Sequence, residues 1–328
     1  MTAVKIRGLF ERRFHTMGTE IRVLIGDRIE DGQPEPAVMA DTVEAQLTEF
    51  DRELSRFRHD SELSRLNRDP REVVPASPLL CTAVSAGLWA AERTGGLVDL
   101  TLLPHLEAAG YAESRSGVAS EPLESALATA PSRRPASPAP DPAWRLIGVL
   151  EDEGAIRRPP AVKLDSGGIG KGLAADLVGR RLAGYARYII DCGGDVRVGG
   201  KLPDSAPIEL QIRHPLSGAA AEAFAFERGA IATSGLDARL WRLPDGTYAH
   251  HLIDPATGRP AWTGLICASA RAPTALEADV LAKAALLSGP DGAAAFLGEH
   301  GGLVVRDDGS VQRIGPLHDP PRVRIEPH

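Results

Sequence analysis

An α+β fold is predicted for this chain of 328 residues, and three features predict it. Apolar alternation of period two marks short β runs, clearest at Ile208, Leu210 and Ile212. Apolar spacings of three to five mark separate amphipathic helices. The two kinds of segment do not alternate regularly, which argues against βαβ winding.

In chain order, residues 20–26 (EIRVLIG) read as a strand. From about Pro36 to Phe57, the positions Val38, Val43, Leu47, Phe50 and Leu54 predict a helix. An alanine-rich helix follows from about Leu79 to Thr94 and stops at Gly95-Gly96. Residues 112–144 are dense in Pro, Ser and Ala, with a short helix around Leu123–Ala130. Pro131 to Pro142 reads as an exposed, partly extended stretch, disordered or lid-like. Of two readings, a domain boundary or an insertion in a single domain of residues 1–328, the insertion is favoured, because no complete core pattern precedes it. Val162–Leu164 reads as a strand end, followed by SGGIGKG and a helix from about Leu173 to Ala183. ARYIIDCGGDVRVGG gives two strands around Gly193-Gly194, and IELQIRH and AEAFAFERGAIATSG continue the β pattern. Thr274 to Leu287 is a helix with Thr274 as N-cap and Glu277 at capping-box spacing. A helix Asp291–Leu297, stopped by Gly298, and a strand Gly302–Val305 end the series.

Composition narrows the function. An apolar fraction of 43% with 25% charged residues is that of a soluble globular protein. Net charge is -7, basic residues form no long run and aromatics are 5%, which argues against nucleic acid as a partner. Three separated cysteines (Cys81, Cys192, Cys267) make neither a zinc motif nor a disulfide framework. No apolar targeting core precedes the first charges and no run approaches 18 apolar residues, so the expectation is a cytoplasmic protein without membrane insertion.

LDSGGIGKGLAAD carries the most chemistry. Gly167, Gly168, Gly170 and Gly172 let backbone approach a ligand closely, and the helix that follows offers free N–H groups. Lys171 would add a cation beside a phosphate. The P-loop pattern fails, since its positions fall on Asp165 and Gly172, and GxGxxG fails because the glycines are evenly spaced. By itself the loop is equally a phosphate site or a tight turn leading into a helix.

The loop belongs to a series: FHTMGTE (14–20), LSRFRHDSELSRLN (54–67), TGGLVDLTL (94–102), LDSGGIGKGLAAD (164–176), DCGGDVRVGG (191–200), ATSG (232–235), HLIDPATGRP (251–260) and EADVLAKAALLSG (277–289). Its order and spacing resemble the FAD:protein FMN transferases of the ApbE type. The resemblance implies a T-fold-like α+β architecture, with a mixed, largely antiparallel sheet and flanking helices. It further implies FAD as substrate, Mg²⁺ at the pyrophosphate, and an acceptor flavoprotein whose Thr or Ser takes FMN while AMP leaves. Position by position, it implies that Met17 and Phe57 line the flavin or adenine. Leu97, Val98 and Asp99, with Lys171 and Ile253, would contact FAD. The carbonyl of Gly168 and the carboxylate of Asp279 would hold the metal. His251, with Asp254 three residues on, is the candidate general base.

One departure stands out. The family has a threonine one helical turn after the aspartate, where this chain has Lys283. A hydroxyl can ligate Mg²⁺, whereas an ammonium has three donors and no lone pair. Asp279 and Lys283 are then an exposed ion pair at i,i+4, or Lys283 takes the place of the metal, or it points away and waters complete the metal's shell. Transfer competes with two other readings, an FAD pyrophosphatase and a non-catalytic FAD-binding protein.

The remaining residues have plainer readings. Asp99 can cap a turn on Thr101, and Asp195 can bond neighbouring amides or serve the ligand. Thr233 and Ser234 lack a nucleophile elbow and read as a strand-end turn. His250 is expected to face solvent, opposite His251, and His15 to end a strand. Cys192 reads as a small buried residue.

Overall fold

A computed structural model of the chain describes residues 8–201 and 207–316; the first residues of the start examined for a targeting signal lie outside these. The main sheet has eight strands: β1 Phe10–Thr16, β2 Thr19–Ile25, β3 Tyr188–Cys192, β4 Asp195–Gly199, β5 Gly229–Gly235, β6 Leu265–Ala272, β7 Gly302–Arg306 and β8 Val311–Ile314. They lie side by side in chain order. Every neighbouring pair is antiparallel, so the sheet is a meander with long excursions. A mixed, largely antiparallel sheet with flanking helices was expected, and among the described strands of this sheet every pairing is antiparallel.

Helices fill the excursions. α1 Pro36–Leu54, α2 Glu62–Arg68, α3 Pro78–Arg93, α4 Leu103–Ala108, α5 Leu123–Thr129 and α6 Gly170–Arg181 lie between β2 and β3, and α7 Ala275–Gly292 lies between β6 and β7. α1 packs on β1, α6 on β3 and β4, and α7 on β5 and β6, with α3 laid over α1, α6 and α7. α7 sits close to the sheet because alanines meet alanines: Ala278, Ala282 and Ala285 of the helix are fully buried, as are Ala230, Ala232, Ala268 and Ala270 of the strands. Each fully buried leucine in this core contributes roughly 1.5–3 kcal/mol.

Local chemistry sets the ends of these helices. Ser77 accepts the amide of Leu80 at 3.2 Å, with Pro78 next. Thr274 accepts the amide of Glu277 at 3.2 Å, as its spacing predicts. Gly289, at φ 74°, breaks helical geometry before Pro290, so the regular part of α7 ends close to the predicted Leu287 and the turn up to Gly292 lies beyond a kink.

Several expectations change. α1 stops at Leu54 because Ser55 is extended, which leaves Phe57 on a turn and not on a helix. Val162–Leu164 is not a strand. The Asn67 side chain brackets Leu164 instead, donating to its carbonyl and accepting its amide at 2.8 Å each. Pro131–Pro142 has no regular structure, yet it is pinned and does not form a free lid. Arg134 N–H donates to Trp262 O at 3.0 Å, and Ala136 N–H to Leu287 O at 2.8 Å. Leu123, Ala126 and Ala136 join the same core as the sheet. His250 is fully buried, edge-on to Trp262 at 4.8 Å, and not in solvent. β6, β8, α2 and α4 had no sequence signal read for them, and of β1 only an end at His15 was read, one residue short of Thr16. β1 and β8 are edge strands carrying charge, and β6 is buried on both faces and so lacks alternation. No helix among the described residues is long and apolar enough to cross a membrane.

Candidate active site

The excursions converge on one cavity of about 620 Å³. Its floor is the glycine loop. Gly168 and Gly170 have room for a Cβ, with nearest protein atoms at 3.9 and 3.8 Å, so their bare backbone faces the cavity without any packing need. Gly172 differs: a Cβ there would lie 2.6 Å from Ala275 O, so α6 and α7 touch through backbone. Among the four loop glycines none has a left-handed backbone. Closeness, and not turn geometry, explains them. Ile169, at the start of α6, carries no capping side chain; past Gly170, whose amide donates to Ser166 O at 2.8 Å, the next N–H groups and the positive end of the helix are open to an anion.

Ser166 Oγ donates to Leu54 O at 2.9 Å, and Arg56 lies 3.3 Å from Asp165, tying the loop to the end of α1. Arg56 also donates to Tyr111 O at 2.7 Å and stacks over Phe57 and Tyr111 at 4.0 and 4.6 Å. The two rings are 5.5 Å apart, making an aromatic wall backed by a cation. Tyr111 is a cavity residue that the sequence reading missed. It sits at the edge of the Pro/Ser-rich segment, where no motif points to it.

Met17 reaches the cavity from a two-residue turn between β1 and β2. It is the one described non-glycine residue at positive φ, 53°, and Gly18 follows at 68°, the signature of a type I′ turn. The Asp51 carboxylate accepts the Met17 amide and the Thr16 hydroxyl; burial pushes its pKa up, against these bonds. Arg239 donates to Gly18 O at 3.0 Å, closing the turn onto the segment after β5.

Charge concentrates where α6 and α7 meet the cavity. Lys171 Nζ lies 2.7 Å from Asp195 Oδ2, a carboxylate that is 1% exposed. Burial pushes the Asp195 pKa up to about 6, opposed by Lys171 and reinforced by Asp279. Burial works against the Lys171 charge, yet Asp195 and Asp279 hold its pKa above the ordinary value. Asp195 therefore neither bonds backbone nor lines the cavity; it holds the lysine. Lys283 Nζ is 2.6 Å from Asp279 Oδ1, and the two side chains are 13% and 5% exposed. An exposed surface pair is thus excluded, and so is a lysine pointing away.

All eleven residues singled out from the sequence line this cavity: Met17, Phe57, Leu97, Val98, Asp99, Gly168, Lys171, His251, Ile253, Asp279 and Lys283. Asp99 spends Oδ1 on the amide and hydroxyl of Thr101, both at 2.7 Å, so it caps a turn as well. Thr233 and Ser234 also line the cavity, from within β5 and not from a turn past its end, with Thr233 bonded to Ser269 at 2.8 Å. His251 has a buried Nδ1 without a partner. Burial, then His250 and Lys283, lower its pKa to about 3, so the ring is neutral near pH 7. Asp254 does not orient it. Its Oδ1 accepts Ser137 N–H at 3.0 Å and its Oδ2 the Thr257 hydroxyl at 2.8 Å. Burial raises the Cys192 thiol pKa, and Cys192 is buried as expected.

The donor set does not suit Mg²⁺. Asp279 Oδ2 and Asp195 Oδ1 are buried and unpartnered, but both carboxylates already pair with ammoniums. A divalent ion about 5 Å from one ammonium would be opposed by roughly 7 kcal/mol at an effective dielectric near 20. No group of three or more His, Cys, Asp or Glu among the described residues is placed to hold a metal.

Known proteins share the sequence pattern and the fold. The model of the ApbE family matches residues 17–305. The FAD:protein FMN transferase of Klebsiella pneumoniae is 30% identical over 296 residues, covering 87% of this chain and 80% of that protein. The crystal structure of the ApbE protein of Thermotoga maritima superposes with a TM-score of 0.76 at 23% identity, covering 93% of this chain and 97% of the other. The flavin transferase ApbE of Vibrio cholerae gives 0.73 at 23% identity, with the same coverage. A match from the β1–β2 turn to β7, through every excursion that builds the cavity, settles the relationship: the chain belongs to the ApbE family.

Proposed function

We propose that this chain is an FAD:protein FMN transferase. FAD lies in the cavity with its diphosphate over the glycine loop and the α6 N-terminus. A Thr or Ser hydroxyl of an acceptor flavoprotein attacks the FMN-side phosphorus. The phosphoanhydride P–O bond breaks, AMP departs with the bridging oxygen, and FMN remains on the acceptor as a phosphodiester. Relatives that bear this activity in their names support the reading. The observation that carries it is that one cavity combines an open helix N-terminus, two ammoniums and an aromatic wall.

The chain's own residues divide the work. Phe57, Tyr111 and Met17 bind ring faces. Leu97, Val98, Asp99 and Ile253 wall the cofactor and exclude water. Lys171, Lys283 and the loop amides hold phosphate oxygens, which is most of what phosphoryl transfer requires. His251, neutral near pH 7, accepts the hydroxyl proton at Nδ1. Mg²⁺ supplies no step in this reading, because the residues at Asp279 do not suit it.

The test is mass spectrometry of a candidate acceptor incubated with FAD and the enzyme. A gain of one FMN, with AMP released, supports transfer. Free FMN and AMP without that gain point to hydrolysis, and intact bound FAD points to a carrier. His251→Ala is expected to lower the transfer rate about 10²-fold or more at saturating FAD, with FAD affinity retained.

A further inference from the structure

We infer that this chain grips the diphosphate of FAD with two paired lysines, Lys171 and Lys283, and binds FAD without a divalent cation. The inference rests on the flavin reading above and deepens it at one point. Lys283 occupies Asp279 Oδ1 at 2.6 Å and lines the cavity. Lys171 lies 2.7 Å from Asp195 and lines the same cavity. Each ammonium has three N–H donors. One is engaged by the carboxylate behind it, and two are left for phosphate oxygens. The carboxylates thus aim the ammoniums and do not compete with a metal for the ligand.

The two lysines are also fixed relative to each other. Lys171 stands in the first turn of α6 and Lys283 in the third turn of α7. Those helices meet at Gly172, where backbone lies against backbone. Asp176 of α6 locks the contact by accepting the amides of Ala275 and Leu276 at 2.9 Å each. A rigid two-helix unit therefore presents two cations to one diphosphate, and the charge that a metal would bring is built into the chain. Replacing Lys283 by a hydroxyl residue removes one cation and frees Asp279, which recreates an oxygen site for Mg²⁺.

FAD affinity, read by quenching of flavin fluorescence, is measured for the full chain in EDTA and in Mg²⁺. Mn²⁺ binding to the FAD-free protein is followed by electron paramagnetic resonance. The wild type is expected to bind FAD equally in both buffers, within about twofold, and to take up no Mn²⁺. Lys283→Thr is expected to lose about tenfold or more in EDTA, to recover in Mg²⁺ and to bind Mn²⁺. Lys283→Arg is expected to stay insensitive to EDTA. The inference is overturned if wild-type affinity drops about tenfold in EDTA and returns with Mg²⁺, or if the wild type binds Mn²⁺. The wild-type arms decide this even if a variant fails to fold. Absence of FAD binding in both buffers overturns the flavin reading itself and this inference with it.

Discussion

Met17 shows how single residues serve the site at a cost to the fold. A left-handed non-glycine residue costs roughly 1–3 kcal/mol, and type I′ turns prefer Asn-Gly to Met-Gly. The cost is tolerated where the side chain faces the cavity and Asp51 holds the turn. Met17→Val should destabilise the chain by about 1–2 kcal/mol in urea unfolding, because a β-branched residue resists positive φ. Met17→Asn should keep or raise stability while weakening FAD binding, and equal FAD affinity in that variant would remove Met17 from the ligand contact. His250 makes a second case. Burial lowers its pKa to about 3, with the bond at Ala261 working the other way. The unfolded chain takes up the proton first, near pH 6.5, so stability is full above that value and falls as pH drops toward 3. At pH 5 the loss is about 2 kcal/mol. His250→Phe should flatten this part of the stability profile; an unchanged slope between pH 7 and 5 would rule the mechanism out. Neither effect was visible in the sequence, where His250 looked like a solvent-facing strand residue.

Elements matter here through their contacts. The sequence announces α6 by its glycines and α7 by Thr274 and an alanine-rich face, since caps and periodicity are local signals. It does not announce that the two helices touch at Gly172. Gly172→Ala places a Cβ 2.6 Å from Ala275 O and 2.8 Å from Leu276 Cα. Backbone cannot yield as a side chain can, so the helices must part. The expected loss is roughly 1–3 kcal/mol in thermal or urea unfolding, together with weaker FAD binding, because the two lysines shift apart. An unchanged melting curve would show that this contact is looser than the geometry implies. β6, central to the sheet, was silent in sequence because both faces are covered and LICASARA does not alternate.

At the scale of the molecule, an antiparallel meander supplies the frame and three excursions supply the site. The Pro-rich stretch 131–142 belongs to that frame. Besides its bonds to Trp262 and Leu287, Ser137 accepts the amide of Ala256 at 2.9 Å and donates its own to Asp254 at 3.0 Å. Replacing residues 131–142 by a short Gly-Ser linker should cost about 2–6 kcal/mol in urea unfolding, from four hydrogen bonds of roughly 0.5–1.5 kcal/mol each. A freely disordered segment would give no loss. By itself the sequence determined the fold class, most helices, the glycine loop and eleven of the residues that line the cavity, because these depend on local periodicity, capping and motif order. Tertiary structure alone decided that Asp195 holds Lys171, that Tyr111 stands beside Phe57, and that Lys283 is buried on Asp279. Those pairings join residues far apart along the chain, or depend on which face of a helix meets the cavity. Spacing along the chain carries no information about distance between segments that meet only when the sheet closes.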